Sequence, residues 1–361
     1  MKRQFGPSLY FASDKVIFDA LNHIKVTTDV IRELLFDRGI IVSSKTSKYE
    51  LAQYFSRLTA DYFDHHDIAV KLGRPQARGR ITYAEISELI TQNEIIEAAQ
   101  TAKVELEQQG NLVTIQIEKG RVLIKLDYDH IDYTQVEFRQ IQHRDGVIEF
   151  LKDVTGKYVI RSSQDHEIDK VVDKLFTEIN LNREIPVRQE RISLEGIPNP
   201  VLRCKFFNEL VNGINGHQFI TVTEAYCYKP NQKNISENDA DDESSQETSL
   251  EDQPNVERVS LKGTGVTRSF VIDDLYAKGY YIVKAIWRVK PESSLDSDIY
   301  EIEAQFTEPQ SCTNFSYQVR NAIIFEDGKL TDKKRLPKLA EQDALFRLIE
   351  AAAKLAYEAL E

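Results

Sequence analysis

The acidic side chains near residue 300 are where this chain could first do chemistry. In Asp298-Ile-Tyr-Glu-Ile-Glu-Ala-Gln-Phe306, polar and apolar residues alternate, so a strand would carry Glu301, Glu303 and Gln305 on one face. Carboxylates gathered this way can hold a divalent cation and the water it activates. Asp127, Asp129, Asp132 and Glu137 form a second acidic patch, interleaved with Tyr128 and Tyr133. Asp64-His65-His66-Asp67 packs four potential ligands into four residues, but helical neighbours diverge by about 100°. No two histidines have the i, i+4 spacing of catalytic zinc sites, so no metal site is assigned. The chain has no GxSxG, no GxxxxGK[ST], no GxGxxG opening a helix and no kinase motif set, and no cofactor is expected. Gly263-Thr-Gly-Val266 reads as a turn.

Asp298, Glu301 and Glu303 are similar to a degraded PD-(D/E)xK nuclease strand, and that resemblance implies metal-dependent cleavage with these three as candidate catalytic residues. The chain departs from the pattern in two ways. Gln305 stands where the catalytic lysine would be, and no separate strand supplies the upstream aspartate. An amphipathic strand with a polar solvent face gives the same alternation without chemistry.

A second pattern lies in residues 26–58. Thr28 can cap a helix whose Val30, Ile31, Leu34 and Leu35 make an apolar stripe, closed by Arg38-Gly39. Ile40-Ile41-Val42 favours an extended backbone. Ser47-Lys-Tyr-Glu50 has capping-box spacing and opens a helix carrying Leu51, Tyr54, Phe55 and Leu58. This helix–connector–helix, with Leu34-Leu35, Gly39, Lys48 and Leu51, resembles the SAP-like modules, and the resemblance implies nucleic-acid binding. Its connector, Ser43-Ser44-Lys45-Thr46, is longer than the family's. Lys45, Lys48 and Arg57 on the connector and second helix are candidate phosphate contacts. The run Lys71 to Arg80 adds Lys71, Arg74, Arg78 and Arg80 on a segment broken by Gly73, Pro75 and Gly79.

Charge is unevenly spread. Residues 1–80 hold 13 Lys and Arg against 9 Asp and Glu, whereas the remainder holds 33 against 49, giving the net of −12. A basic end on an acidic body orients a protein on a polyanion. The 34 aromatic residues are scattered, so no base-stacking platform stands out.

The elements that would position these groups suggest an α+β fold. Residues 1–110 read as a helical domain with the SAP-like unit at 26–58, including a helix opened by a capping box at Thr82-Tyr-Ala-Glu85 and running through Ile86, Leu89 and Ile90. After Gly110-Asn111 the apolar period changes from 3.6 to 2. Residues 111–228 read as an α+β domain: a hairpin over 113–126, a strand at Val136 and Phe138, another at 157–160, an amphipathic helix over 168–179, a strand at 188–194, a helix over 202–211 and a strand over 217–228. Residues 229–257 include eight acidic and no basic residues between Glu237 and Asp252, the composition of a disordered linker or insert. Residues 258–361 read as an α+β region that ends in a long helix and could form one domain with 111–228.

At 361 residues and 41% hydrophobic, the chain is long enough for two or three domains. It has no apolar run of membrane-spanning length, its first residues lack a secretory h-region, and its three cysteines lack metal or disulfide spacing. The expectation is a cytoplasmic, non-enzymatic nucleic-acid-binding accessory subunit. It would bind DNA and at least one protein partner, without membrane association, in an assembly for DNA processing or antiviral phage defence. A PD-(D/E)xK-like nuclease and a purely protein-binding scaffold are the alternatives.

Overall fold

A computed structural model describes residues 12–24, 26–72, 79–134, 140–153, 155–181, 183–230, 257–263, 270–293, 296–326 and 328–360. The fold is mixed α+β and dominated by an antiparallel sheet. The chain separates into two compact units, residues 1–78 with 93–148 and residues 79–92 with 149–361. The first division therefore falls before residue 110, and residues 111–148 belong with the N-terminal unit.

In the first unit, α1 (Asp14–Asn22), α2 (Thr28–Asp37), α3 (Lys48–Ser56) and α4 (Tyr62–Leu72) are followed by α5 (Gln92–Gln108) and the hairpin β2 (Leu112–Glu118) and β3 (Arg121–Ile131). Ile17, Leu21, Val26, Ile31, Leu35, Leu51, Phe55 and Ile68 close a small core between the first four helices. The N-cap of α2 is Thr27, one residue before the expected Thr28, and Gly39 takes φ +74° just after the helix. At α3 the capping box forms as the spacing suggests: the Ser47 side chain accepts from the Glu50 amide and Glu50 accepts from the Ser47 amide. The hairpin turns at Gly120, φ +74°, where a left-handed backbone favours glycine.

In the second unit, β1 (Ile81–Ile86) lies within the sheet order β5-β1-β11-β10-β9-β7-β8. The strands are β5 (Tyr158–Ser163), β7 (His217–Tyr228), β8 (Arg258–Lys262), β9 (Tyr281–Pro291), β10 (Ile299–Glu308) and β11 (Thr313–Glu326). Short β6 (Gln189–Arg191) pairs with β1 and β12 (Lys329–Arg335) with β11. β4 (Ile141–Lys152) runs across the division between the units. The helices are α6 (His166–Asn180), α7 (Pro200–Asn212), α8 (Phe270–Ala277) and α9 (Leu339–Glu358).

The segment expected to be a helix from the Thr82–Glu85 box is strand β1. Both side chains that would have made the cap have other partners. Thr82 Oγ1 donates to the Ser162 carbonyl at 3.2 Å and Glu85 receives Lys354 at 2.6 Å. β1 hydrogen-bonds to β5 along its length, so the strand satisfies its backbone across the sheet. Strands β4 and β12 were not foreseen. The strand expected at Val136 and Phe138, and residues 231–256 of the acidic segment, lie outside the described residues.

One face of the sheet is apolar. Ala285, Trp287, Ile302, Ala304, Phe306, Phe315 and Tyr317 meet Phe206, Phe207 and Leu210 of α7 and Leu345, Ile349 and Ala353 of α9. α9 is also tied to the sheet by charge. Arg161 on β5 donates to both Glu350 oxygens at 2.5 and 2.7 Å and to Glu149 at 3.4 Å, and the Tyr317 hydroxyl donates to Glu350. All four residues are buried. Replacing Arg161 with alanine strands two buried carboxylates and is expected to cost about 3–5 kcal/mol. Urea unfolding at neutral pH checks this, and an unchanged midpoint would show that the cluster contributes nothing.

Candidate functional site

The opposite face of the same sheet is polar, and the strand register assembles it. In the antiparallel ladders Glu301 faces Arg288, Gln305 faces Lys284, Glu303 faces Gln318, and Tyr226 faces Lys284. Directly opposed residues share a face, so side chains from β7, β9, β10 and β11 converge there.

Glu303 is the centre of this arrangement. It is 1% exposed, yet three cations reach it: Arg80 at 2.8 Å, Lys284 at 3.0 Å and Arg320 at 3.5 Å. Burial alone would push its carboxyl upward, but Lys284 and Arg80 hold it below the ordinary range. Glu301 is similar. Burial opposes its charge, while Asn321 at 3.3 Å, Lys334 at 3.4 Å and Arg288 at 3.3 Å keep it ionised. On β7, Glu224 takes Lys262 of the neighbouring β8 at 2.8 Å.

Six cations thus surround three carboxylates. The carboxylates lie beneath, whereas Arg80, Arg288, Arg320 and Lys334 keep 35%, 32%, 37% and 45% of their side chains exposed. One negative charge cannot neutralise three neighbouring cations, so the surface retains a local positive excess on a chain of net charge −12.

This geometry changes the roles of the acidic candidates. Glu301 and Glu303 are the counter-ions of a cationic cluster, and Asp298 accepts from Arg335 at 2.7 Å and from the Phe325 amide at 2.9 Å. The three carboxylates therefore do not converge on a shared open point. Among the described residues, no group of three or more His, Cys, Asp or Glu is placed to hold a metal ion. Gln305, where the nuclease pattern has lysine, sits beside Lys284 on the neighbouring strand.

The basic candidates divide. Lys48 turns inward, its Nζ donating to the Asn22 and His23 carbonyls at 3.1 and 2.6 Å, and burial lowers its pKa. It fastens α3 to the end of α1. Lys45 and Arg57 are exposed. Arg80 joins the sheet cluster. Arg74, Arg78 and the Lys71 side chain lie outside the described residues. Two cations not singled out in the sequence are also structural. Arg32 ties α2 to the connector through the Ser44 carbonyl at 2.7 Å, and Arg38 pairs with Asp64 at 2.6 Å.

The sequence reading missed Lys284, Arg288, Arg320, Lys334 and Lys262. The available signal was charge confined to one face of an otherwise apolar strand, at Lys284, Arg288 and Lys290, beside a strand that carries Glu301 and Glu303 on one face. A polar cleft of about 380 Å³ adjoins Arg80, lined also by Thr82, His166 and Gln305. In that cleft Arg191 pairs with Asp169 at 3.6 Å, whereas Arg80 is held by Glu303.

No known protein family and no curated protein matches this chain. The site must be read from its own chemistry.

A carboxyl held below its ordinary pKa in the fold stabilises above the unfolded value, near pH 4.3 for Glu, and loses that contribution as pH falls through the folded value. Glu303→Gln is therefore expected to cost roughly 3 kcal/mol at neutral pH, a deficit that narrows as acid protonates the wild-type carboxyl. Urea midpoints of both proteins across that pH range read the difference. A deficit that stays constant into acid would contradict the assignment.

Proposed function

We propose that this protein binds nucleic acid, DNA in the first instance, as a non-catalytic component of a larger assembly. The observation that carries this reading is the excess of cations over the buried carboxylates of the sheet's polar face. The carboxylates hold the guanidinium and ammonium groups in place before any ligand arrives, which lowers the ordering cost of binding. Arginine forks at Arg80, Arg288 and Arg320 match phosphate oxygens. A phosphate placed over them relieves their mutual repulsion. Phosphate contacts carry no base information, so weak sequence preference is expected. The exposed Lys45 and Arg57 of the SAP-like hairpin offer a second contact.

The double variant Arg320→Gln/Lys334→Gln leaves Glu303 with Arg80 and Lys284, and Glu301 with Arg288, so the fold is retained. Fluorescence anisotropy with labelled duplex and single-stranded oligonucleotides is expected to show affinity falling steeply between about 50 and 200 mM salt. For the variant, affinity should drop about tenfold and the slope of log K against log salt should flatten by about 0.9 per cation removed. Lys45→Gln/Arg57→Gln should cost less. Absence of binding at low salt, or a double variant equal to wild type, overturns the proposal. Oligonucleotide is expected to stay intact with Mg²⁺ or Mn²⁺, and cleavage abolished by Glu303→Ala would instead favour the nuclease.

A further inference from the structure

The outward side of α2 differs from the sheet face in both polarity and charge. A groove of about 350 Å³ runs between α2 and the connector that follows it, floored by Phe36, Ile40, Ile41 and Val42. Phe36 is 67% and Ile41 85% exposed, although the helix buries Ile31, Leu34 and Leu35 on its other side. Large apolar side chains this exposed are costly to leave in water, and grouping them marks an interaction surface.

The groove is held open by a fixed wall. Arg32 on α2 donates to the Ser44 and Thr46 carbonyls at 2.7 and 3.4 Å and pairs with Asp29 at 2.9 Å. The connector is thereby pinned against the helix. The rim is acidic. Asp29, Glu33 and Asp37 follow one another at i, i+4 and i+8 on α2, a single helical ridge, and Arg32 pairs with the first of them.

We propose that this groove docks a segment of a partner protein that presents large apolar side chains flanked by lysine or arginine. Apolar anchors would enter between Phe36 and Ile41, and basic residues would lie along the Asp29–Glu33–Asp37 ridge. The charge decides the class of partner, because an acidic rim repels a phosphate backbone and attracts a basic polypeptide. An amphipathic helix laid in a groove is a recurrent mode of this kind. The inference is independent of nucleic-acid binding, since it concerns different residues of opposite charge.

A phage-displayed library of random peptides panned against the intact chain tests it. Enriched peptides should combine Leu, Phe or Trp with Lys or Arg. Made synthetically, they should bind at least about tenfold more weakly (roughly 1.4 kcal/mol) to Phe36→Ser/Ile41→Ser. Asp29→Asn/Glu33→Gln/Asp37→Asn should remove most of the salt dependence while leaving the apolar floor intact. All of these side chains are on the surface, and an unchanged thermal midpoint will show that the variants are folded. Failure to enrich any peptide, an acidic consensus, or equal binding to the Ser variant overturns the proposal. So does wild-type dimerisation in sedimentation velocity that the Ser variant abolishes, which would assign the groove to a second copy.

Discussion

A buried carboxylate must be balanced, and Glu303 is balanced more than once. Its side chain lies in the middle of a sheet, on a strand whose opposite face is packed against helices. Leaving it ionised there without a partner would be prohibitively costly. Arg80, Lys284 and Arg320 supply the balance from β9, β11 and the segment entering β1. Three strands distant in sequence are thereby bound to one register, because a slip of one residue would turn Glu303 into the apolar layer. The same arrangement leaves surplus positive charge at the surface. The ion pairs that fix the register and the cations exposed on this face are the same residues.

The two faces of the sheet divide the work. The apolar face, with Trp287, Phe306 and Tyr317 under α7 and α9, supplies the hydrophobic driving force. Arg161 fixes where α9 lies by gripping Glu350. That pair sits on the helix-covered side and is closed to ligands. The Glu303 cluster uses the same ionic logic on the open side, where its cations remain accessible. In the N-terminal unit, ionic contacts serve the fold: Arg32, Arg38 and Lys48 are spent on carbonyls and carboxylates that hold helices and connector together.

Sequence periodicity located most of the elements because their side-chain patterns are local. Ser47 and Glu50 capped a helix as their spacing indicated, and the stripe from Ile168 to Ile179 is buried as read. Thr82 and Glu85 have the same spacing but lie in a strand. There the outcome depended on Ser162 and Lys354, partners 80 and 269 residues away, which no local pattern contains. The site was legible in fragments. Arg80 and Glu303 were each singled out, one as a phosphate contact and one as a candidate catalytic residue of a nuclease, and the fold brings them together as an ion pair. Lys48 has a residue type suited to phosphate, but its ammonium is used at the end of α1. Strand register set the surroundings of Glu303 and helix packing the role of Lys48, and neither is contained in a linear pattern.

Arginine-directed footprinting tests the central claim most directly. Phenylglyoxal modification of the intact chain, with and without a duplex oligonucleotide at low salt, can be read residue by residue by mass spectrometry. The account predicts protection of Arg80, Arg288 and Arg320 together, with Arg161 unreactive in both states because it is buried. Protection confined to Arg57, or no change at the three sheet arginines while the oligonucleotide is bound, would contradict it.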